Sequence, residues 1–302
     1  MTDILIRAGS FAAIILLGYV LKKVGLFKDS DFGILSKVVM KITFPAAVIV
    51  SFSGRQVQPQ MLILAVLASG CGVLYMGVAA ALSRKKTKDQ RAFDILNLPG
   101  YNIGNFTMPF VQSFLGPTGV IAAGIFDMGN AVITLGTAFG VASAVKSGAK
   151  FSLKRVGKAL LSSVPFLTYM TMLLLSLLRI SLPFAVTELV GVIGGANPFL
   201  AMFMIGVGFN LGSEKGQFGK ILRLLILRYG IAVLFALVFW FVLPFELEVR
   251  QALVILAFSP VAAAVPPFTE ELGGDVGLSS AYNSMAILIS IVINVVLLSV
   301  IL

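Results

Sequence analysis

The residues able to do chemistry are few, and they interrupt otherwise apolar sequence. One group is Asn97-Leu98-Pro99-Gly100-Tyr101-Asn102-Ile103-Gly104-Asn105, three amides around a proline and two glycines. A second is Asp127-Met128-Gly129-Asn130, a carboxylate and an amide three residues apart and so on one face of a helix. A third, Ser259-Pro260 followed by Val265-Pro266-Pro267, has no titratable group but cannot continue as regular helix. Proline removes a backbone donor and displaces the carbonyl four residues earlier, and glycine loosens the turn. The ends of such broken helices offer free amide donors to an anion and free carbonyls to a cation. An ionised Asp127 inside an apolar run costs at least ~2.5–3.5 kcal/mol, so it reads as a binding point for a coupling proton or cation. The alternative is a buried carboxyl that is hydrogen-bonded, or ion-paired with Lys37, Lys41 or Arg228.

Other polar residues are read more plainly. Asn283, near the start of the last apolar run, joins Tyr101, Asn102, Asn105 and Pro260 as a candidate substrate contact; Asn210 and Asn294 read as interhelical hydrogen bonders. Asn197-Pro198 and Lys41-Ile42-Thr43-Phe44-Pro45 mark kinks that either line a path or pack helices, and Lys37 snorkels to the surface. Glu270, Glu271 and Asp275 form an acidic turn rather than a metal site. The chain has no histidine and one cysteine, Cys71, which removes disulfides, His/Cys metal sites and Ser-His-Asp triads. No phosphate-binding loop, dinucleotide fingerprint or zinc-protease motif is present. The reading is therefore of a protein that is not an enzyme, with no cofactor and no catalytic or metal-ligating residues, driven by an ion gradient or by its ligand's own gradient.

The elements that position these residues are apolar helices. Of 302 residues 58% are hydrophobic and 12% charged, and the mean hydropathy is +1.01, outside the range of a soluble domain. Ten apolar runs stand out, at about 4–22, 31–53, 60–83, 93–114, 117–145, 159–179, 183–213, 221–243, 247–267 and 276–302. The first is a retained helix rather than a cleaved leader, because Lys22 and Lys23 follow it instead of preceding it. The net charge of +10 lies between the runs, which fits a lipid surface and not nucleic acid.

Orientation follows from the cations. Loops after the first, third, fifth and seventh runs carry Lys22, Lys23 and Lys28; Arg84, Lys85, Lys86, Lys88 and Arg91; Lys146, Lys150, Lys154, Arg155 and Lys158; and Lys215, Lys220 and Arg223. The opposite loops have only Arg7, Arg55, Arg179 and Arg250. Positive-inside bias puts the first set in the cytoplasm and both termini outside, in the inner cell membrane. Pro109-Phe110 with Gly116 and Gly119 recurs at one offset as Pro267-Phe268 with Gly274 and Gly277. Halves of five helices each, 1–145 and 146–302, would then enter the membrane in opposite senses, an all-α architecture of inverted repeats used by alternating-access carriers.

In order and spacing, Asn102, Gly104, Pro109, Leu115-Gly116, Gly119, Asp127 and Asn130 resemble the bacterial members of the auxin efflux carrier family, relatives of the PIN auxin exporters in the superfamily of bile acid–sodium symporters. The likeness extends to Phe44-Pro45-Ala46, to Pro198 through Gly206 and to 259–290. It implies ten helices with broken fourth and ninth members crossing, helices 1, 2, 6 and 7 as scaffold, and helices 3–5 and 8–10 as a mobile transport unit. It also implies elevator-like secondary transport of an organic anion, coupled to a proton or Na+, with a homodimer left open. Two departures stand out: Thr107 replaces a usual glycine, and the second break is richer in proline. The rivals are a sodium-coupled symporter of bile acid type and, from another class, a ligand-sensing receptor or channel.

Overall fold

In hydrocarbon an unpaired peptide group costs several kcal/mol, so apolar runs of this length fold as helices, which pair their own backbone. The computed structural model, which describes residues 2–28, 30–209 and 217–302, has no strand among those residues. In chain order the helices are α1 (Thr2–Lys23), α2 (Asp31–Phe52), α3 (Pro59–Leu82), α4 (Lys88–Asn97), α5 (Met108–Phe114), α6 (Pro117–Ser147), α7 (Leu153–Leu161), α8 (Val164–Leu177), α9 (Phe184–Gly208), α10 (Phe218–Phe241), α11 (Leu247–Ala257), α12 (Val265–Glu271) and α13 (Val276–Ile301). Asn210 and Lys215 lie outside the described residues.

Of these, α2, α3, α6, α9, α10 and α13 are long and apolar enough to cross a membrane, and α7 with α8, bent by 77°, makes a seventh if taken as one span. The sequence suggests ten crossings. Its fourth and ninth runs are instead divided into the short helices α4 and α5, α11 and α12, at the prolines and glycines that interrupt them. Val66, Ile226, Leu234, Val292 and Val300 turn outward on the long helices, leaving an apolar surface that suits lipid. This is the pattern of a multi-pass membrane protein.

Close packing relies on glycine at a few crossings. A Cβ on Gly206 of α9 would lie 2.0 Å from the Ile15 carbonyl oxygen of α1, and one on Gly129 of α6 would lie 1.8 Å from the Ala65 carbonyl oxygen of α3. The first half of α9 seats Gly194 on Ala46 and Ala47 of α2. Near that contact the Thr43 hydroxyl donates to Asn197 Oδ1 at 3.1 Å, and Asn197 Nδ2 donates to Gln112 Oε1 at 3.0 Å. The kinks at Pro45 and Asn197-Pro198 thus pack helices against one another. Lys37 and Lys41 of α2 are exposed, as snorkelling requires.

The Gly129 crossing leaves no room for a methyl group without moving backbone. Gly129→Ala is expected to destabilise the protein by about 1–3 kcal/mol, seen as a lower melting temperature in detergent. Gly70→Ala, on α3 where nothing lies within 4 Å, is expected to leave melting unchanged or slightly raised.

Candidate functional site

After α4 the chain leaves helical geometry over 98–102 and re-enters through a wide π turn, Ile103–Thr107, that leads into α5. Gly100 makes the bend at φ +83°, and a Cβ there would stand 2.5 Å from Thr134 Cγ2, so both conformation and space call for glycine. After α11 the chain is non-helical over 258–264 before α12. The two interruptions meet. The Asn102 N–H donates to the Pro260 carbonyl at 2.9 Å, and the Thr107 and Ser259 hydroxyls hydrogen-bond to each other. Thr107, the departure from the resembled pattern in the first break, is therefore in contact with the second.

Arg228 of α10, 1% exposed, serves both breaks. Its Nη1 donates to the Leu98 carbonyl at 2.8 Å, and its Nη2 donates to Gly100 at 2.7 Å, Ser259 at 2.8 Å and Pro260 at 3.0 Å. The rings of Tyr75 and Tyr101 have centroids 5.7 and 5.5 Å from the guanidinium carbon, and the Tyr75 hydroxyl donates to the Arg228 carbonyl at 2.9 Å. Asn130 completes the frame, with Oδ1 accepting from the Tyr101 N–H at 2.9 Å and Nδ2 donating to the Tyr101 carbonyl at 2.8 Å. A planar amide here replaces the partners that a continued helix would have supplied.

Beside this junction lies a cavity of about 380 Å³. Tyr101, Asn102, Gly104 and Asn105 line it from the first break, and Ala262, Ala263 and Ala264 from the second. Asp127, Asn130 and Thr134 come from α6, Ser36 and Met40 from α2, and Phe166 and Tyr169 from α8. The wide turns at Val39–Thr43, Ile103–Thr107 and Ile133–Thr137 all contribute lining residues. Such turns free backbone groups from the regular ladder and recur at functional sites.

Asp127 Oδ1 accepts from Asn130 Nδ2 at 2.9 Å, and its Oδ2 accepts from the Tyr169 hydroxyl at 3.4 Å. Among the described residues it makes no ion pair, so between hydrogen bonding and pairing with Lys37, Lys41 or Arg228 the structure has the hydrogen-bonded arrangement. Asn102 and Asn105 both border the cavity, and the buried Asn105 Oδ1 has no hydrogen-bond partner among the described residues. The first N–H groups of the half-helix that starts at Ile103 have no carbonyl one turn back, which makes this wall a donor surface for an anion.

Two expected contacts fall elsewhere. The Pro260 carbonyl is occupied by Asn102 and Arg228. Asn283 does not line the cavity, because α13 backs the breaks instead: its Ser290 hydroxyl donates to the Phe258 carbonyl at 2.6 Å, and its Ser279 hydroxyl donates to Asn97 Oδ1 at 2.6 Å. Asn97, the third amide of the first break, is bound there too, with Nδ2 donating to Thr269 Oγ1 at 3.2 Å. The acidic turn is used for structure, since Glu271 pairs with Arg155 at 2.6 Å and Asp275 caps α13 by accepting from the Leu278 N–H at 2.8 Å. No cluster of three or more metal-ligating side chains occurs among the described residues.

Sequence reasoning missed Tyr169 and the role of Arg228, which it offered only as an ion-pair partner for Asp127. A signal for that role existed: a lone arginine deep in an apolar run needs acceptors, and broken helices supply free carbonyls. Tyr169, one of several polar residues in its run, carries no comparable mark. No protein-family model and no curated protein matches the chain.

If Asn130 holds the first break, Asn130→Ala leaves the Tyr101 N–H and carbonyl buried without partners, at about 1–3 kcal/mol each. A lower melting temperature and faster hydrogen exchange across 98–102 are expected. Asn283→Ala, which removes an oxygen that has no partner, is expected to change neither.

Proposed function

We propose that this protein is a secondary carrier that moves a small organic anion, a carboxylate, across the inner cell membrane by elevator-like alternating access. In this reading the chain crosses ten times as two inverted five-helix halves, with both termini outside, and belongs with the auxin efflux carriers. Helices α1, α2, α7 with α8, and α9 form the scaffold, and the remaining helices form the moving unit.

One observation carries the reading: two interrupted helices from different halves of the chain are joined by the Asn102–Pro260 hydrogen bond and border one cavity that also holds a carboxylate. Broken backbone at membrane depth is tolerated where it is buried in protein or lines a wet cavity, and paired breaks of this kind mark carrier binding sites. A cavity of this volume, about 380 Å³, is within the range of small-molecule sites. The ends of α2 and α8 that border it adjoin the cationic loops, which under positive-inside bias gives access from the cytoplasm.

The roles follow from chemistry. Asn102, Asn105 and the free N–H groups after the first break hold the carboxylate. Asp127, steadied by Asn130, takes the coupling proton or cation. Tyr169 connects that carboxylate to the scaffold, so a change in the charge of Asp127 alters a contact between the two units.

Purified protein in proteoliposomes is expected to take up radiolabelled carboxylates from a panel of dicarboxylates and indole acids, with gradient dependence. Asp127→Asn is expected to abolish stimulation by the gradient while sparing ligand binding. Unaltered coupled transport would remove Asp127 from the mechanism. Conductance far above carrier turnover would replace the carrier with a channel, and sodium-dependent thermal stabilisation, absent in choline, would favour the sodium symporter.

A further inference from the structure

Among the described residues none of the side chains lining the crossing cavity is a lysine or arginine, and its one carboxylic acid is Asp127. The free N–H groups of the first break offer an anion donors, but the formal charge of the lining side chains opposes one. The balancing charge stands one layer behind the wall. Arg228 is buried, forms no ion pair among the described residues, and is held by neutral groups, the carbonyls of both breaks and the rings of Tyr75 and Tyr101. Carbonyl dipoles satisfy its donors but do not cancel its charge. The backbone it holds leads directly into the cavity wall: Tyr101 follows Gly100, and Ala262 lies two residues beyond Pro260.

We propose that Arg228 is the specificity-determining residue for charge, its unneutralised guanidinium giving the cavity a positive potential that selects an anionic ligand without touching it. The proposal rests on the reading of this cavity as a carrier's site, and it adds where the anion preference originates. Asp127 and Arg228 oppose each other across the wall: with the carboxylate ionised the site is close to neutral, and with it neutralised by a proton or cation the site is net positive. In a low-dielectric surround a full charge one residue behind a wall acts strongly on what lies in front of it.

The test needs no transported ligand. In full-length protein carrying Cys71→Ala and Ala263→Cys, the thiol at the cavity wall is reacted with 2-sulfonatoethyl methanethiosulfonate and with 2-(trimethylammonio)ethyl methanethiosulfonate. The ratio of the two rates, divided by that of a free thiol, cancels the thiolate fraction and reports the sign of the local potential. With Asp127→Asn added, the normalised ratio is expected to exceed one. Adding Arg228→Met is expected to lower it by about tenfold or more, while Arg228→Lys keeps it within about threefold. Equal shifts in the methionine and lysine variants, or no shift in either, would overturn the proposal. If the methionine variant does not fold, a normalised ratio below one with Arg228 in place and Asp127→Asn present overturns it as well. Protein that passes while transporting no carboxylate keeps the charge assignment and loses the carrier reading; protein that transports and fails loses only this inference.

Discussion

The structure depends on the pairing of one buried guanidinium with the backbone of two broken helices. Interrupting a helix inside an apolar protein releases carbonyls that water cannot reach, and each left unpaired costs several kcal/mol. A buried arginine has the opposite problem, five donors and a charge without solvent. Here the two difficulties offset each other: Arg228 takes carbonyls from Leu98 and Gly100 on one side and from Ser259 and Pro260 on the other. Neither feature is tolerable alone. Arginine suits the role better than lysine, because its planar fork presents several donors at fixed angles to acceptors on two separate chain segments.

That pairing has consequences for what is rigid. Asn130 fixes Tyr101 through both of its backbone groups, Asn97 is tied to Thr269 and Ser279, and the Ser290 hydroxyl reaches the Phe258 carbonyl. The crossing of the breaks is therefore held in place from several sides while Asn105 Oδ1 and the first N–H groups after Asn102 stay open, which is what a binding wall requires if a ligand is to meet groups already in position. Among the described residues, polar ties from this assembly to α1, α2, α7, α8 and α9 are fewer: Arg7 to the Ser113 carbonyl, Asn197 to Gln112, Tyr169 to Asp127, and the exposed ion pair of Arg155 with Glu271. Under the carrier reading, a tightly bonded block held by a small number of exchangeable hydrogen bonds is the arrangement a moving unit needs.

Much of this was legible in the sequence, and what was not has a physical explanation. The breaks at Pro99-Gly100 and Ser259-Pro260 could be placed because proline and glycine act locally, through a missing donor and a φ of +83° at Gly100. Asp127, Asn130, Asn102 and Asn105 could be named because polar groups in apolar runs need a reason to be there. Their partners were harder. Asp127 was open to pairing with a cation, and which neighbour reaches it depends on how α8 packs against α6, a long-range fact with no local signature. Asn283 looked equivalent to Asn102 for the same reason. Periodicity does not tell which side of a break a helix backs, and α13 lies behind.

The hydroxyls at the crossing bear on the same point. Thr107 brings one to the first break and Ser259 one to the second; in the fold these two hydroxyls bond to each other, and Thr107 Oγ1 also reaches the Asn102 carbonyl at 3.4 Å. A glycine at position 107 would leave the Ser259 hydroxyl without this partner in a fully buried place, whereas Thr107 without Ser259 would keep only its long bond to the Asn102 carbonyl. The two hydroxyls therefore form one unit. The junction therefore accommodates different side chains provided donors and acceptors across the crossing remain matched. Identity at these positions is a weaker guide to the site than the requirement that every buried backbone and hydroxyl group there finds a partner.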